Sequence, residues 1–476
     1  MAIFHDTKHD DNLTGGSGDD TFRHAILRAL PALAAAAAAL MLWSAPAQAG
    51  AALSYRVLHD FCKANPCGDG SFPAGDQLLM DVTGKFYGTT FRGGRFDNGT
   101  IYEVFPKHGG ARYFKKVLKA FCQIQQGCGV GGKTQSGVIM DTQGNLYGTA
   151  PAAGANCGTV YEAVLSGGKY TLNVLHAFAS SGGDACDPTS GALAYHGKDA
   201  GQLYDGTSPL FGVTLQGGAN DDGAVFELLP PKPGRKQWQE TVIYSYCQIS
   251  GCADGSNPTG DVVMDSSDDL YTTAAGAAGG QVFELAPDGS GGFVRQPVYQ
   301  SATGEQFAFL RITSDGTLYG ASSVGGPTSH GTLFKLAPAV GGGFDYTDLH
   351  DFCPGGSGHC TDGDFADTVL VDPSGNVWGT TLGGGNNPGP FGSPVPGAGV
   401  IFEYTSGGSF AVVHQFCAET NCTDGGTPAE GLVTDGAGHF FGTTALGGVP
   451  PSTPANGNAP IPPAAGGGVL YELSLP

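Results

Sequence analysis

The stretch Phe86-Tyr87-Gly88-Thr89-Thr90 returns as Leu146-Tyr147-Gly148-Thr149-Ala150 and again as Leu210-Phe211-Gly212-Val213-Thr214. Further copies start at Leu270, Leu318, Val377 and Phe440, which makes seven. A second phrase, Gly99-Thr100-Ile101-Tyr102-Glu103-Val104, recurs from Gly158, Gly223, Gly280, Gly331, Gly399 and Gly468. A third, Val57-Leu58-His59-Asp60-Phe61-Cys62, recurs from Val117, Val174, Val242, Pro297, Asp348 and Val412. A looser fourth phrase, such as Gly137-Val138-Ile139-Met140-Asp141, precedes the first. Self-similarity at a fixed period marks a repeat architecture. Each phrase is rich in β-branched and aromatic residues and bounded by Gly, Asp, Asn or Pro, so each reads as a short strand. Four strands per repeat and seven repeats predict an all-β fold, a seven-bladed β-propeller of four-stranded antiparallel blades.

The phase of the repeat bears on closure. The repeat region opens on the third phrase, near 53–61, and ends on the second, at 468–474. The last repeat therefore lacks its outer strand, and the N-terminal strand is expected to supply it. Such a 3+1 latch hides the sheet edges that an open array would expose.

Composition agrees. Only 14% of residues are charged and Gly occurs 81 times in 476 residues, too apolar for a disordered chain and too rich in turn formers for a helical one. The domain reading is an N-terminal extension with a secretory signal over 1–49, then the propeller over 50–476. Arg23 and Arg28 precede an apolar run from Ala29 to Trp43 that is too short to span a membrane, and Ala47-Gln48-Ala49 forms a small-x-small cleavage site. Before it, Gly15 to Phe22 resembles one copy of a calcium-binding nonapeptide, but one copy cannot complete a site. No later segment reads as membrane-spanning. A formal net charge of −21 repels phosphate backbones, which argues against nucleic acid as a partner. The expectation is a monomer that is secreted or periplasmic.

The phrases resemble the GloVer tandem repeat family of bacterial surface and secreted proteins, through Leu146–Thr149, Gly158–Glu162 and Val174–Phe178. The resemblance implies a propeller-like fold and an exported protein, and it implies no established reaction. Many members carry a C-terminal sorting anchor, for which Tyr471 to Pro476 offers no counterpart. The Asp-x-x-Gly-Asn-Leu-Tyr turn is similar to hairpins of NHL-type and gluconolactonase-like propellers, which bears on fold alone.

The 12 cysteines are even in number, as expected for disulfides in an exported chain. Five pairs are local: Cys62 with Cys67, Cys122 with Cys128, Cys247 with Cys252, Cys353 with Cys360, and Cys417 with Cys422. Each follows the third phrase. Cys157 and Cys186 are left over, the first between the first and second phrases of one repeat, the second after the third phrase. In a four-stranded antiparallel blade both loops lie on one face, so these two are expected to pair. The close pairs are spaced too widely for a zinc knuckle, and no metal site is expected from them.

Candidate chemistry competes with plainer roles. His59, Lys119, His176, Tyr244, Tyr299, His350 and His414 share one position of the outer strand. Spread around the rim, they cannot converge on one atom, so packing or surface is the expected role. Glu103, Glu162, Glu227, Glu284, Glu403 and Glu472 recur on the second phrase, with Lys335 in the odd blade, and read as structural or solvated. An Asp-Gly theme after the cysteines supplies Asp69, Asp254, Asp362 and Asp424. These are the candidate binding residues of the loop face; turn chemistry is the plainer role, and calcium is the one cofactor they would suit. The long loops 383–398 and 447–467 lie on the same face and are candidates for recognition. No nucleophile, phosphate-loop or HExxH signature is present, so no catalytic residue is assigned. The expected function is a binding or interaction scaffold for a glycan, protein or small ligand at the disulfide-stapled loop face. The alternative is a carbohydrate-active hydrolase or lyase with its site at the channel mouth.

Overall fold

The repeated glycine of the first phrase has a steric cause. Gly88 pairs across the sheet with Tyr102 of the second phrase, and a Cβ at Gly88 would lie 2.5 Å from the Tyr102 hydroxyl. Gly148 faces Tyr161, Gly212 Phe226, Gly320 Phe334, Gly379 Phe402 and Gly442 Tyr471 in the same way, at 2.3–2.6 Å. Each ring therefore lies flat across the neighbouring strand, and the two phrases are one packing unit. The turn between the fourth and first phrases is also built from its sequence. Asp141 Oδ1 accepts hydrogen bonds from the amides of Gln143 at 2.9 Å and Asn145 at 2.8 Å. Asp81, Asp265, Asp372 and Asp435 repeat the arrangement.

The computed structural model describes residues 53–476 except 65, 108, 122–128, 152–156, 180–182, 190, 233, 235–236, 277–278, 357–359, 391–392, 394 and 451–465. The proposed signal at 1–49 and most of the loop 447–467 lie outside the described residues. The described chain forms seven antiparallel sheets arranged in a ring, the predicted propeller. Blade 1 spans 71–120, blade 2 139–177, blade 3 185–245, blade 4 262–300, blade 5 307–351 and blade 6 364–415. Blade 7 takes 426–474 together with Ser54–Asp60. Ser54–Asp60 pairs antiparallel with Val469–Ser474, so that Tyr55 faces Leu473 and Asp60 faces Val469. The N-terminal strand is thus the outer strand of the last blade. No described helix is long and apolar enough to cross a membrane.

Each of the seven blade junctions carries its own apolar core. Between blades 7 and 1 it holds Phe61, Phe86, Tyr102, Phe441 and Leu470. Burial of such side chains contributes about 1.5–3 kcal/mol each, which makes the junctions the main source of stability. The inner strands are less regular than the repeat predicts. In blade 1 the strand breaks between Ser71–Pro73 and Leu79–Met80, and in blade 7 between Gly426–Pro428 and Val433–Thr434. The reason lies at the axis, where backbone groups in these gaps bond across the ring instead of along the sheet.

Four of the five expected local disulfides are present: Cys62–Cys67, Cys247–Cys252, Cys353–Cys360 and Cys417–Cys422. The fifth expected pair, Cys122 and Cys128, lies outside the described residues; both Cys122 and Cys128 fall in the segment 122–128. The leftover cysteines pair as expected, as Cys157–Cys186. The cysteine loops and the loops between the second and third strands share a face, again as expected. Gly94 N donates to Cys67 O at 2.9 Å, Gly385 N to Cys360 O at 2.8 Å and Gly448 N to Cys422 O at 2.8 Å.

Candidate functional site

The inner strands bring together charges that no repeat predicts. Asp76, Asp367 and Glu430 stand at equivalent positions of blades 1, 6 and 7, where blade 2 has Ser136. Asp261 of blade 4 and Arg311 of blade 5 stand one and three residues further along. The Arg311 guanidinium spans the axis. It donates to Asp261 Oδ2 at 3.1 Å, to its neighbour Leu310 O at 2.7 Å and to Asp76 O at 3.3 Å, and it lies 3.9 Å from Asp76 Oδ2. Asp76 Oδ1 accepts from Ala192 N of blade 3 at 2.8 Å, and Asp76 O accepts from Gly431 N of blade 7 at 3.1 Å. One aspartate thus joins four blades, which is why the inner strand of blade 1 leaves its ladder there.

Burial sets the electrostatics. Asp76 and Asp261 have no more than 2% of their surface exposed. Burial, reinforced by the Asp261 charge and opposed by Lys198 and Arg311, pushes Asp76 up to about 6. Burial, with the Asp76 charge behind it, also pushes Asp367 up to about 6. Asp367 is half-buried, and its carboxylate has no hydrogen bond or ion pair among the described residues. Burial disfavours the Arg311 charge, but Asp261, Asp76 and Asp199 more than compensate and raise its pKa. Burial pushes Glu430 up to about 8; its Oε2 accepts from the Thr443 hydroxyl at 2.9 Å, the Tyr102 hydroxyl also acts on the carboxyl, and its Oε1 makes no hydrogen bond of normal length among the described residues.

Blade 3 departs from the repeat in a way the sequence reading missed. Its inner turn is replaced by an insertion over 195–209. Tyr204 N donates to Met140 O at 3.0 Å in blade 2, and Asp199 Oδ2 accepts from Met264 N at 3.0 Å in blade 4. The insertion therefore reaches across the turn face of the axis and brings Lys198 and Asp199 into the field of Asp76 and Arg311. Beside it lies a cavity of about 300 Å³, with walls that include Leu79, Met80, Ile139, Met140, Leu370 and Val433 and with Gln77, Lys198, Gln202 and Thr434 among its polar lining. The long run between the fourth and first phrases, 195–209 against a five-residue turn elsewhere, was the available signal.

The loop-face aspartates are placed differently. Asp69 accepts from Cys62 N at 3.2 Å, Asp254 from Gln248 N and Ile249 N at 2.9 and 3.0 Å, Asp362 from Cys353 N at 3.0 Å, and Asp424 from Ala418 N at 2.9 Å. Each carboxylate organises its own cysteine loop, and the four do not converge. Three also meet the outer strand: His59 lies 3.6 Å from Asp69, Tyr244 donates to Asp254 at 2.6 Å, and His350 bonds Asp362 at 2.9 Å. The rim position holding these residues is a stacking site between blades. His414 stacks on Tyr55 with centroids 3.8 Å apart, His350 on Phe410 at 3.6 Å and Tyr299 on Tyr346 at 4.1 Å. At the junction of blades 2 and 3 the partner of His176 is instead Glu240, which burial and the facing Asp184 carboxylate push up to about 7. The second-phrase glutamates serve local contacts: Glu162 accepts from the Tyr147 hydroxyl at 3.0 Å, and Glu103 pairs with Lys85 at 3.2 Å. The described part of the loop 383–398 packs on the cysteine face, where Asn387 donates to Phe416 O at 2.8 Å.

These features define a seven-bladed, disulfide-stapled propeller with an axial knot of opposite charges and a separate small cavity lined by Gln77, next to Asp76, and by Lys198. The profile of the Gloeobacter/Verrucomicrobia repeat matches residues 198–453, and the chain belongs to this repeat family. No curated protein matches it in sequence. Solved structures of similar fold include a catalytically inactive virginiamycin B lyase from Staphylococcus aureus with quinupristin, at 10% identity and TM-score 0.49, covering 89% of this chain and 100% of that one. A PQQ-bound aldose sugar dehydrogenase from Streptomyces coelicolor is 14% identical at TM-score 0.41, covering 75% and 99%. A gluconolactonase from Xanthomonas campestris is 13% identical at TM-score 0.36, covering 90% and 96%.

Proposed function

We propose that this is an exported binding propeller that takes a small organic ligand in its axial cavity, with the ligand's apolar body against Leu79, Met140, Leu370 and Val433 and a cationic or hydrogen-bond-donating end toward the axial carboxylates. The observation that carries the reading is the contrast between two sets of acids. The loop-face aspartates are taken up by backbone amides of their own loops, whereas among the described residues the Asp367 carboxylate and Asp76 Oδ2 accept no hydrogen bond, Asp76 Oδ2 having only the Arg311 charge 3.9 Å away. An apolar pocket with a few convergent polar groups is the ordinary form of a small-molecule site. Export is supported by the disulfides, which persist in oxidising compartments. The test is a thermal-shift and saturation-transfer screen of neutral oligosaccharides and of amine-bearing aromatic compounds on the oxidised protein. Amine-bearing compounds are expected to bind the wild type and to lose binding in Asp367→Asn and in the cavity-filling Leu370→Trp. Hits that bind Leu370→Trp as well as wild type would overturn the axial reading.

One observation favours a second reading, a hydrolase or lyase at the same place. Asp76 and Asp367 are both held near 6, where a carboxyl group can give and take a proton at neutral pH. Turnover of polysaccharide substrates with a pH profile abolished by Asp367→Asn would support it. Turnover that survives this substitution would count against it.

A further inference from the structure

Six of the seven blade junctions fill the outer-strand contact with a ring, a cation or an aliphatic chain. Tyr55, Phe410 and Tyr346 stack on the neighbouring blade, Arg295 lies 5.9 Å from the Tyr244 ring, Lys115 lies 4.0 Å from the Phe61 ring, and Leu172 packs into the junction of blades 1 and 2. The junction of blades 2 and 3 is the exception, because Glu240 stands there. Glu240 on the outer strand of blade 3 faces His176 on the outer strand of blade 2, and Asp184 reaches both from the connection between them.

Three side chains meet at this point, His176, Asp184 and Glu240, each offering one ligand atom within 4.8 Å of the others; His176 Nε2, Asp184 Oδ1 and Glu240 Oε1 are the atoms left over. Each is sealed from solvent, and each has no hydrogen-bond partner among the described residues. Three orphaned polar atoms aimed at one volume are costly unless something joins them. Two of them, His176 Nε2 and Asp184 Oδ1, are 3.7 Å apart, too far for a hydrogen bond. Ligands of one tetrahedral ion at bond lengths of about 2.0–2.2 Å sit roughly 3.3–3.6 Å apart, close to this spacing.

The surroundings hold the three side chains in place. Asp184 Oδ2 accepts from Ala179 N at 2.7 Å, which orients the carboxylate. The His176 ring stands edge-on to Phe178 at 4.9 Å, and the Cys157–Cys186 disulfide pins the connection just beyond Asp184. Asp184 also lines a surface cavity of about 490 Å³ with Cys157, Gly183, Cys186 and Gly217, so the cluster lies just behind the surface. The other two clusters of ligand-type atoms draw on Cys247 and Cys252 or on Cys353 and Cys360, whose sulfurs are in disulfides.

We propose that His176, Asp184 and Glu240 bind one divalent cation of the zinc class, joining blade 2 to blade 3. One imidazole and two carboxylates suit zinc and its first-row neighbours better than calcium, which takes six or more oxygens. The site is on the rim and is independent of the axial cavity.

The test uses untagged, oxidised protein stripped with a chelator and dialysed against zinc acetate, with bound metal counted by mass spectrometry. The wild type is expected to hold one zinc ion with Kd at or below about 1 μM and to melt higher with zinc than without. Glu240→Gln and Asp184→Asn should each weaken binding at least about tenfold. Glu240→Phe restores the stacking pattern of the other junctions, so it should fold without metal and show no zinc-dependent rise in melting temperature. No zinc retained by the wild type would overturn the proposal, as would equal retention by Glu240→Gln.

Discussion

Arg311→Met is the sharpest perturbation of the axial knot. The side chain donates hydrogen bonds to Asp261 Oδ2, Leu310 O and Asp76 O, and it is the cation nearest two carboxylates with no more than 2% of their surface exposed. Methionine keeps much of the volume and removes the charge. Asp261 is then buried without the cation it pairs with, and Asp76 keeps only the field of Lys198. Removing one partner of a buried ion pair costs about 3–5 kcal/mol, far more than an exposed pair. Equilibrium urea denaturation at pH 7, followed through the buried Trp378, measures the loss. The loss should shrink at pH 5, below the pKa of about 6 of Asp76, because this carboxyl is then neutral in the native state and needs no cation. Adding Asp261→Asn to Arg311→Met should recover part of it, since the two groups share one contact. A loss under about 1 kcal/mol at pH 7, or one that does not vary between pH 5 and pH 7, would refute the reasoning.

Other outcomes follow from the same geometry. Gly379→Ala places a Cβ 2.3 Å from the Phe402 ring and should cost about 1–3 kcal/mol in the same denaturation experiment; a neutral result would remove the steric account of the repeated glycine. Replacing Cys157 and Cys186 together by Ser opens a link across 29 residues and should cost about 3–4 kcal/mol, against roughly 2 for a local pair separated by 5. The folded pKa of Glu430 is about 8 against 4.5 for the free group, so the native state binds the extra proton. Its contribution is fully present at low pH and is lost as pH rises from about 4.5 to 8. Melting temperature should therefore fall across that window, and Glu430→Gln should flatten the decline.

The architecture was legible because its cause is local and repeated. A glycine in one strand and an aromatic in the next recur together since the ring occupies the space a Cβ would take, as at Gly88 and Tyr102. The leftover Cys157 and Cys186 could be paired because strand order alone puts their loops on one face. The axial site was not legible for the opposite reason. Arg311 and Asp76 stand 235 positions apart and meet only through closure of the ring. Neither belongs to a motif, and each looks like a stray charge in a looser phrase. Glu240 was hidden in another way: it fills a position that elsewhere holds Tyr55, Tyr346 or Phe410, so its meaning appears once the other junctions show what normally stands there. The insertion over 195–209 was visible as extra length, but its placement across the axis depends on backbone bonds to blades 2 and 4.

Closure of the ring is the claim on which the axis, its cavity and the junctions all depend, and hydrogen exchange at Ser54–Asp60 tests it most directly. Amides of this segment that pair with Val469–Ser474 should be protected as strongly as those of the outer strand Gln239–Ser245 in blade 3. Exchange of the N-terminal segment at the rate of an unstructured chain, with blade 3 protected, would contradict the account.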